Sequence, residues 1–443
     1  MRARTILVLG LLAAPGFAAS ARADLDGFIK QPDPSFAWKS LGSKEIPGAG
    51  KAYQLSLTSQ TWQGAPWTHQ LQIFEPAEIK YPDVMLLFIT GGNNRNKSPE
   101  MYRNAEEGFA LARACGARVA VLPQVPNQPL MGDKVEDDLI AETFVRYLAT
   151  KDETLPLLQP MVKSAVRAMD TVQAWAKAEN KPIPKGFVVS GASKRGWTTW
   201  LTGAVDPRVI AIAPMVIPTL NMKAQNKHQL ETWGKYSEQI DDYVRRGLTE
   251  DIDQPDRTQL WKLIDPFTYR DRLTMPKLQI NGTNDPYWTL DSLNLYWNDL
   301  KGPSYVVYLP NAVHNLKEHR DWAVNGVGAL FRHVALGKSM PLFSWANSES
   351  DSGEPRLTVV SDLPPKRILF WTAMSPSLEF RKSAWTANDP NGTGPRNSNG
   401  WTRKNPSDGQ TLAVFADLTF DIDGLEYHLS SQISIFGPKE KKP

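Results

Sequence analysis

The feature that most constrains the fold is a series of short, continuous apolar runs separated by helical patterns. A run without polar alternation is typical of a strand that is covered on both faces. Strands that alternate with helices in this way form a mostly parallel sheet with helices on both sides. An alternating antiparallel hairpin over residues 54–74 precedes the runs, so the sequence predicts a large α/β domain. The runs lie at residues 84–89, 118–122, 186–190, 209–214, 277–280 and 305–309.

Two parts of the chain depart from this rhythm. Between the fourth and fifth predicted strands, residues 221–269 are polar, charged and helix-prone, which predicts either a cap over a functional site or an ordinary surface insertion. After about residue 340, short β-rich segments separated by turn residues replace the helices. This change predicts an α/β domain over residues 24–340 and a small immunoglobulin-like β-sandwich over residues 341–443. The same patterns predict helices over residues 99–114, 136–150 and 316–336 and a strand over residues 378–381.

The N-terminus has the pattern of a secretory signal peptide. Arg2 and Arg4 give a basic start, residues 6–12 are apolar, and residues 21–23 form a small-x-small cleavage signature. The apolar run is too short to span a bilayer as a retained helix. A frayed N-terminal helix is the alternative. The pattern predicts cleavage before Asp24 and export to the periplasm or the medium, with no membrane span in the mature chain.

The charge balance argues against a nucleic-acid partner. The whole chain carries 50 Lys and Arg against 47 Asp and Glu, a formal net charge of +3. Arg2, Arg4 and Arg22 belong to the predicted signal peptide, so the mature chain has 50 − 3 = 47 basic residues and a net charge near zero. A basic stripe is not evident either. Because the chain also lacks phosphate-loop, dinucleotide-binding and metal-ligand motifs, we expect no cofactor and no metal.

A candidate nucleophile follows the third apolar run. The strand over 186–190 leads into Gly-Ala-Ser-Lys-Arg-Gly at residues 191–196, where a helix begins. A serine on a tight strand-to-helix turn has its Oγ exposed above the sheet. The usual G-x-S-x-G pattern has glycine where this chain has Arg195, and glycine follows one position later, at Gly196. The turn predicts Ser193 as a nucleophile, and the alternative is a serine that caps an ordinary helix.

A candidate acid and base follow in the order that a Ser-Asp-His triad on this fold requires. Asp285 comes just after the fifth predicted core strand, and His314 comes just after the sixth. The chain has six histidines, and His314 alone ends a predicted core strand. An aspartate in a turn and a structural histidine are the alternatives for the two residues taken singly. Together with Ser193, they predict a catalytic triad.

The remaining candidates would stabilise the reaction or contact substrate. The backbone N–H of Lys194 and one from Gly92 or Asn93, in the loop after the first apolar run, are the predicted oxyanion donors, with a plain turn as the alternative for that loop.

Three side chains are candidates for substrate contact. Arg195 would meet an anionic group, unless it is simply a solvated charge at the start of the helix. Asn94 belongs to the same loop as the oxyanion donors. Trp288 lies near Asp285 in sequence, and core packing is its alternative role.

Several stretches together resemble the PhoPQ-activated pathogenicity-related protein family. They are Gly91 to Asn94, Val125 to Pro129, Pro160 to Lys163, Ser190 to Trp200, Asp206 to Val209, Ala213 to Val216, Tyr269 to Leu273 and Pro310 to His314. The resemblance runs from about residue 35 to the C-terminus. It implies an exported α/β-hydrolase-like protein with a small C-terminal β domain, similar in fold to dipeptidyl peptidases. It also implies that the sequence Gly-Ala-Ser-Lys-Arg-Gly is the family's form of the nucleophile turn.

Two functions follow from these features. The first is an exported serine hydrolase that cleaves an ester or amide bond in a small-molecule, peptide or sugar-ester substrate. The second is a non-enzymatic secreted binding or signalling protein on a hydrolase scaffold, related to virulence or envelope stress. The substrate and the oligomeric state stay open at this point.

Overall fold

A computed structural model of the protein describes residues 24–95, 102–350, 354–389, 398–403 and 409–437. The predicted signal peptide and the first residues of the helix predicted over 99–114 lie outside the described residues. No helix in the described part of the chain is long and apolar enough to cross a membrane.

A nine-stranded sheet forms the centre of the molecule. Its order is β1-β2-β3-β5-β4-β6-β7-β8-β9, antiparallel from β1 through the β3–β5 pair and parallel from β5 to β9. The predicted mostly parallel sheet is confirmed. The strands are β1 (Ala37–Ile46), β2 (Gly50–Trp62), β3 (Ala65–Pro76), β4 (Val84–Ile89), β5 (Val119–Leu122), β6 (Gly186–Ala192), β7 (Val209–Met215), β8 (Lys277–Gly282) and β9 (Ser304–Leu309).

Both faces of this sheet are covered, which explains the continuous apolar runs. In β4, Leu87 and Ile89 pack into the core on one face, and Leu86 and Phe88 pack into the core on the other. A strand with apolar neighbours on both sides needs no polar alternation. The covering helices are α1 (Leu25–Lys30), α2 (Ala105–Cys115), α3 (Glu136–Thr150), α4 (Leu158–Ala178), α5 (Lys194–Val205) and α9 (Arg320–Ala335). The helices α6 to α8 lie between β7 and β8.

The segment between β7 and β8 is helical. It contains α6 (Met222–Trp233), α7 (Asp241–Val244) and α8 (Pro255–Ile264), and short 3-10 turns at Glu238–Ile240 and Pro266–Arg272. We call residues 221–269 the insertion.

The C-terminal region consists of two antiparallel sheets. One contains β10, β11 and β14, and the other contains β13, β12, β15 and β16, with β17 paired to β15. Phe370 and Trp401 stack between the two sheets with centroids 6.4 Å apart. The predicted β domain is confirmed as a pair of facing sheets, whereas the boundary at residue 340 stays a prediction. The strands are β10 (Phe343–Glu349), β11 (Pro355–Ser361), β12 (Arg367–Ser375), β13 (Thr386–Asn388), β14 (Ser398–Thr402), β15 (Thr411–Ile422), β16 (Leu425–Ser430) and β17 (Ser434–Phe436).

Two local predictions are wrong. The helix predicted over 316–336 begins only at Arg320, because Leu316 and His319 have positive φ angles of 50° and 56°, which a right-handed helix does not accommodate. Residues 378–381 do not form a strand and lie in an irregular segment after β12.

Candidate active site

Ser193 lies on a strained turn between β6 and α5. Its φ and ψ angles are 58° and −127°, a conformation that a non-glycine residue adopts only when its surroundings enforce it. The Ser193 N–H donates to the Met215 carbonyl at 2.8 Å, and the Ser193 carbonyl accepts from the Trp197 N–H at 2.9 Å. Hydrogen bonds on both sides of the residue therefore hold this turn, which has the geometry of a nucleophile elbow.

Two glycines let the turn close. A Cβ atom on Gly191 would lie 2.9 Å from the carbonyl oxygens of Ile89 and Arg195. A Cβ atom on Gly196 would lie 2.9 Å from the carbonyl oxygens of Gly191 and Met215. Gly196 stands one position beyond the usual motif, yet α5 approaches the backbone of β6 and β7 so closely there that a side chain would not fit without a shift.

Asp285 and His314 form a hydrogen-bonded pair. Asp285 follows β8, His314 follows β9, and the distance from Asp285 Oδ2 to His314 Nδ1 is 2.7 Å. An ionised carboxylate only accepts hydrogen bonds, so Nδ1 carries the proton and Nε2 is left as an acceptor. The second carboxylate oxygen of Asp285 accepts from the Tyr287 N–H at 3.0 Å. The carboxylate therefore fixes both the orientation and the tautomer of the imidazole.

Tyr287 covers one face of this imidazole. The rings of Tyr287 and His314 stack with centroids 4.1 Å apart and an angle of 27° between their planes. Burial and the nearby carboxylates of Asp137 and Asp285 raise the pKa of the Tyr287 hydroxyl to about 12, so it stays neutral. The side chain of His314 remains 24% exposed, which leaves it accessible from the cavity described next.

Ser193 and His314 line the same cavity. Trp288 also lines it, as a substrate-contacting residue would. The insertion contributes a large part of the wall. The insertion residues that line the cavity are Met222, Asn226, Ile240, Tyr243, Leu248, Thr249 and Trp261.

Lys194, which follows the nucleophile, is buried and paired with two carboxylates. Its Nζ lies 2.9 Å from Glu136 Oε2 and 3.0 Å from Asp137 Oδ2, at the start of α3. Asp137 also accepts a hydrogen bond from the Tyr243 hydroxyl at 3.0 Å. As the first residue of α5, Lys194 has a backbone N–H without an acceptor inside the helix. That N–H is therefore free to act as the predicted oxyanion donor.

The structure directs Arg195 away from the cavity. Its guanidinium contacts both carboxylate oxygens of Glu136 at 2.7 and 2.8 Å, and its Nε donates to the Val125 carbonyl at 2.5 Å. Burial alone raises the pKa of the Glu136 carboxyl, but the hydrogen bonds and charge of Arg195 and the charge of Lys194 lower it to about 2. With its donors occupied in this way, Arg195 is not among the cavity-lining residues, contrary to its predicted contact with substrate.

The loop after β4 lies on a neighbouring cleft. Gly92 and Asn93 line that cleft together with Gln124, and they are not among the residues that line the cavity of Ser193. The Gly92 carbonyl accepts from Gln128 Nε2 at 2.8 Å. The structure therefore does not bring the second pair of predicted oxyanion donors into the cavity.

Asn94 has a structural environment. Its Nδ2 donates to Asn127 Oδ1 and to the Thr68 carbonyl, and Asn127 donates to the same carbonyl at 2.6 Å. Asn94 thus connects the loop after β4 to β3 instead of facing the cavity, contrary to its predicted contact with substrate.

The chain matches the PhoPQ-activated pathogenicity-related protein family over residues 25–381. It belongs to this family. It is also 34% identical over 375 residues to autocrine proliferation repressor protein A of Dictyostelium discoideum, which covers 81% of this chain and 75% of that protein. The resemblance seen in the sequence is thereby confirmed.

Two solved esterase structures are similar to this chain. Acetyl xylan esterase 1 from Thermoanaerobacterium sp. aligns with 17% identity and a TM-score of 0.48, over 69% of this chain and 92% of the esterase. An acetyl xylan esterase from Paenibacillus sp. aligns with 13% identity and a TM-score of 0.47, over the same shares of 69% and 92%. The structure itself has the predicted mostly parallel sheet with helices on both faces, followed by a C-terminal β region.

Sequence reasoning missed the carboxylates at the start of α3. Glu136 pairs with Arg195, which lies 59 residues later in the chain, and Asp137 pairs with Lys194. One signal was available, because residues 136–138 are consecutive acids at a predicted helix start. It would have marked them as helix-stabilising charges rather than as partners of the nucleophile turn.

Proposed function

We propose that the protein is a serine hydrolase that cleaves an ester or amide bond through an acyl-enzyme. The observation that carries the proposal is the strained Ser193 turn, which lines one cavity with His314, the residue that Asp285 orients. A serine hydroxyl is a weak nucleophile unless an adjacent base removes its proton. A neutral imidazole with Nδ1 held by a carboxylate is such a base.

The reaction proceeds in two displacements. Ser193 Oγ attacks the carbonyl carbon while His314 Nε2 takes its proton, and the tetrahedral oxyanion accepts a hydrogen bond from the Lys194 N–H. His314 then gives the proton to the departing alcohol or amine, which leaves Ser193 acylated. A water molecule attacks the acyl-enzyme with His314 again as base, and the acid is released as Ser193 recovers its proton.

Labelling with a fluorophosphonate tests the proposal. We expect the mature protein to be labelled, and we expect Ser193→Ala and His314→Ala to lose labelling. Ser190→Ala is the matched control, since Ser190 lies on β6, just before the Ser193 turn, and its hydroxyl donates to the Ala213 carbonyl at 2.7 Å. A folded wild type that stays unlabelled, or a labelled Ser193→Ala variant, would overturn the assignment.

A secreted signalling protein on the same scaffold is the second candidate. The name of the Dictyostelium relative, a proliferation repressor, supports it. The two candidates differ in their need for Ser193. If added wild-type protein and Ser193→Ala protein slow cell growth equally, the growth effect comes from binding and not from hydrolysis.

We also propose that the chain is exported and cut before Asp24, on the strength of its N-terminal pattern. N-terminal sequencing of protein recovered outside the cytoplasm should begin at Asp24. Recovery of the full chain from the cytoplasm would contradict export.

A further inference from the structure

The cavity beside Ser193 is lined mainly by apolar and aromatic side chains. Its inner walls come from α5, from the segment after β7 and from the insertion. Such a wall gains free energy by excluding water from an apolar ligand. The apolar and aromatic residues that line it are Trp197, Val216, Ile217, Met222, Ile240, Tyr243, Leu248, Trp261, Tyr287 and Trp288.

The charged residues in the wall already neutralise each other. Lys194 lies 3.0 Å from Asp137, and Asp137 also accepts a hydrogen bond from Tyr243. A charged substrate group entering this space would lose its water without gaining an unpaired opposite charge. The cavity therefore disfavours both anionic and cationic groups.

The space available is small. The cavity measures about 50 Å3. A single water molecule needs about 10 to 15 Å3, so the space suits a short group rather than a long chain. A long acyl chain would have to displace the aromatic wall.

One polar atom in the wall lacks a partner. Thr249 is 7% exposed, and its Oγ1 is buried with no hydrogen-bond partner among the described residues. The Thr249 carbonyl is fixed by the Tyr236 hydroxyl at 3.2 Å and by Asn226 Nδ2 at 3.3 Å. A buried hydroxyl is unfavourable until it is paired, so Thr249 offers a hydrogen bond to a ligand atom in the cavity.

We propose that the substrate's acyl group is short, uncharged and mainly apolar, and that it carries one oxygen that pairs with Thr249 Oγ1. A short hydroxyacyl or oxoacyl group has this chemistry. The inference rests on the proposed function and names the substrate class of the same site. Thr249 is accordingly a specificity-determining residue and takes no part in the bond-making steps.

Hydrolysis of four p-nitrophenyl esters tests the substrate class. We expect kcat/KM for the butyrate to exceed that for the octanoate and that for the hemisuccinate by about tenfold or more. The octanoate is too long for the cavity, and the hemisuccinate is anionic. We expect the 3-hydroxybutyrate to react about fivefold faster than the butyrate, the gain from one hydrogen bond. Octanoate or hemisuccinate as the preferred ester would overturn the inference.

Variants locate the hydrogen bond. Thr249→Val keeps the shape of the side chain and should bring the ratio of kcat/KM for the 3-hydroxybutyrate to kcat/KM for the butyrate down from about five to about one. Thr258→Val is the matched control, because Thr258 also belongs to the insertion but donates to the Ile252 carbonyl at 3.3 Å and does not line the cavity. Thr219 also lines the cavity. If Thr219→Val removes the preference and Thr249→Val retains it, the assignment to Thr249 is wrong.

The failure of this inference and the failure of the proposed function are distinguishable. Fluorophosphonate labelling of Ser193 reports the nucleophile alone. A labelled enzyme with the wrong ester preference would refute the substrate class but not the assignment as a hydrolase. An unlabelled protein would refute both.

Discussion

Asn311, in the loop that carries His314, and Trp385, in the C-terminal region, exchange two hydrogen bonds. Asn311 Nδ2 donates to the Trp385 carbonyl at 3.1 Å, and the Trp385 N–H donates to Asn311 Oδ1 at 2.8 Å. Asn284, next to Asp285, donates in the same way to the Ser383 carbonyl at 2.8 Å. The segment after β12 therefore contacts both the loop of the acid and the loop of the base.

Asn311→Ala should lower kcat by roughly tenfold with little change in KM, because the imidazole would lose part of its positioning while the cavity wall stays intact. Steady-state kinetics on an ester substrate would measure the split. Asn325→Ala is the matched control, since Asn325 Nδ2 also donates across to the C-terminal region, to the Glu426 carbonyl at 3.0 Å, but lies on α9. Equal losses in the two variants would show a general effect of domain contact rather than positioning of His314.

Asp285→Asn should lower kcat by about 10³- to 10⁴-fold, because an asparagine amide does not hold the imidazole in the tautomer with Nε2 free. The fold should persist, as judged by circular dichroism. Asp291→Asn is a matched control, because Asp291 forms a similar pair with His228 at 2.8 Å in the insertion. An Asp285→Asn enzyme with near-normal kcat would exclude Asp285 as the triad acid.

Glu136→Gln should destabilise the protein at neutral pH by about 1 to 2 kcal/mol, because Lys194 and Arg195 would lose their shared carboxylate; the Glu136 side chain is 36% exposed, so water screens part of the interaction. The carboxyl pKa is about 2 in the folded chain against 4.5 for an unperturbed glutamate, so the folded state binds fewer protons between these values. Its contribution to stability is thus present above pH 4.5 and lost as the pH falls towards 2.

Thermal denaturation from pH 7 to pH 2 measures this contribution. The difference in stability between wild type and Glu136→Gln should shrink through that window. Glu142→Gln, which removes an ion pair with the 46% exposed Arg146 on the same helix, should have little effect at any pH. A constant difference between wild type and Glu136→Gln would refute the assignment of the acid-sensitive charge.

The strands that position the site could be predicted because burial on both faces leaves a plain apolar signature. β4 and α3 begin and end as the sequence predicts, and the loops with Asp285 and His314 follow their strands as expected. β1 was missed because its residues are mostly exposed and show no apolar alternation. A strand of that kind is held by its pairing with β2, which a local pattern does not contain.

The charge partners of the nucleophile turn could not be predicted for a related reason. From the sequence, Lys194 and Arg195 are either solvated charges at a helix start or partners of an anionic group. A cation there is unfavourable unless something compensates it. The compensation comes from Glu136 and Asp137 on another helix. Side-chain direction at a turn depends on such distant partners, which is why Arg195 was expected to contact substrate.

Gly196→Ala tests whether the shifted glycine replaces the missing one at position 195. The new Cβ would lie 2.6 Å from Ile217 Cγ2 and 2.9 Å from two backbone oxygens, and backbone moves less readily than a side chain. We expect a loss of about 2 to 3 kcal/mol in the free energy of unfolding and weaker labelling of Ser193.

Gly203→Ala on the same helix separates this effect from helix propensity. There the Cβ would lie 3.0 Å from a side-chain methyl, Ile212 Cγ2, so a shift of a few tenths of an ångström relieves the contact, and alanine favours a helix over glycine by about 1 kcal/mol. We expect this variant to be near neutral in stability and labelled like wild type. If Gly196→Ala behaves like Gly203→Ala, the close approach of α5 to β6 and β7 does not set the Ser193 turn, and the hydrogen bonds to the Met215 carbonyl and from the Trp197 N–H must hold it alone.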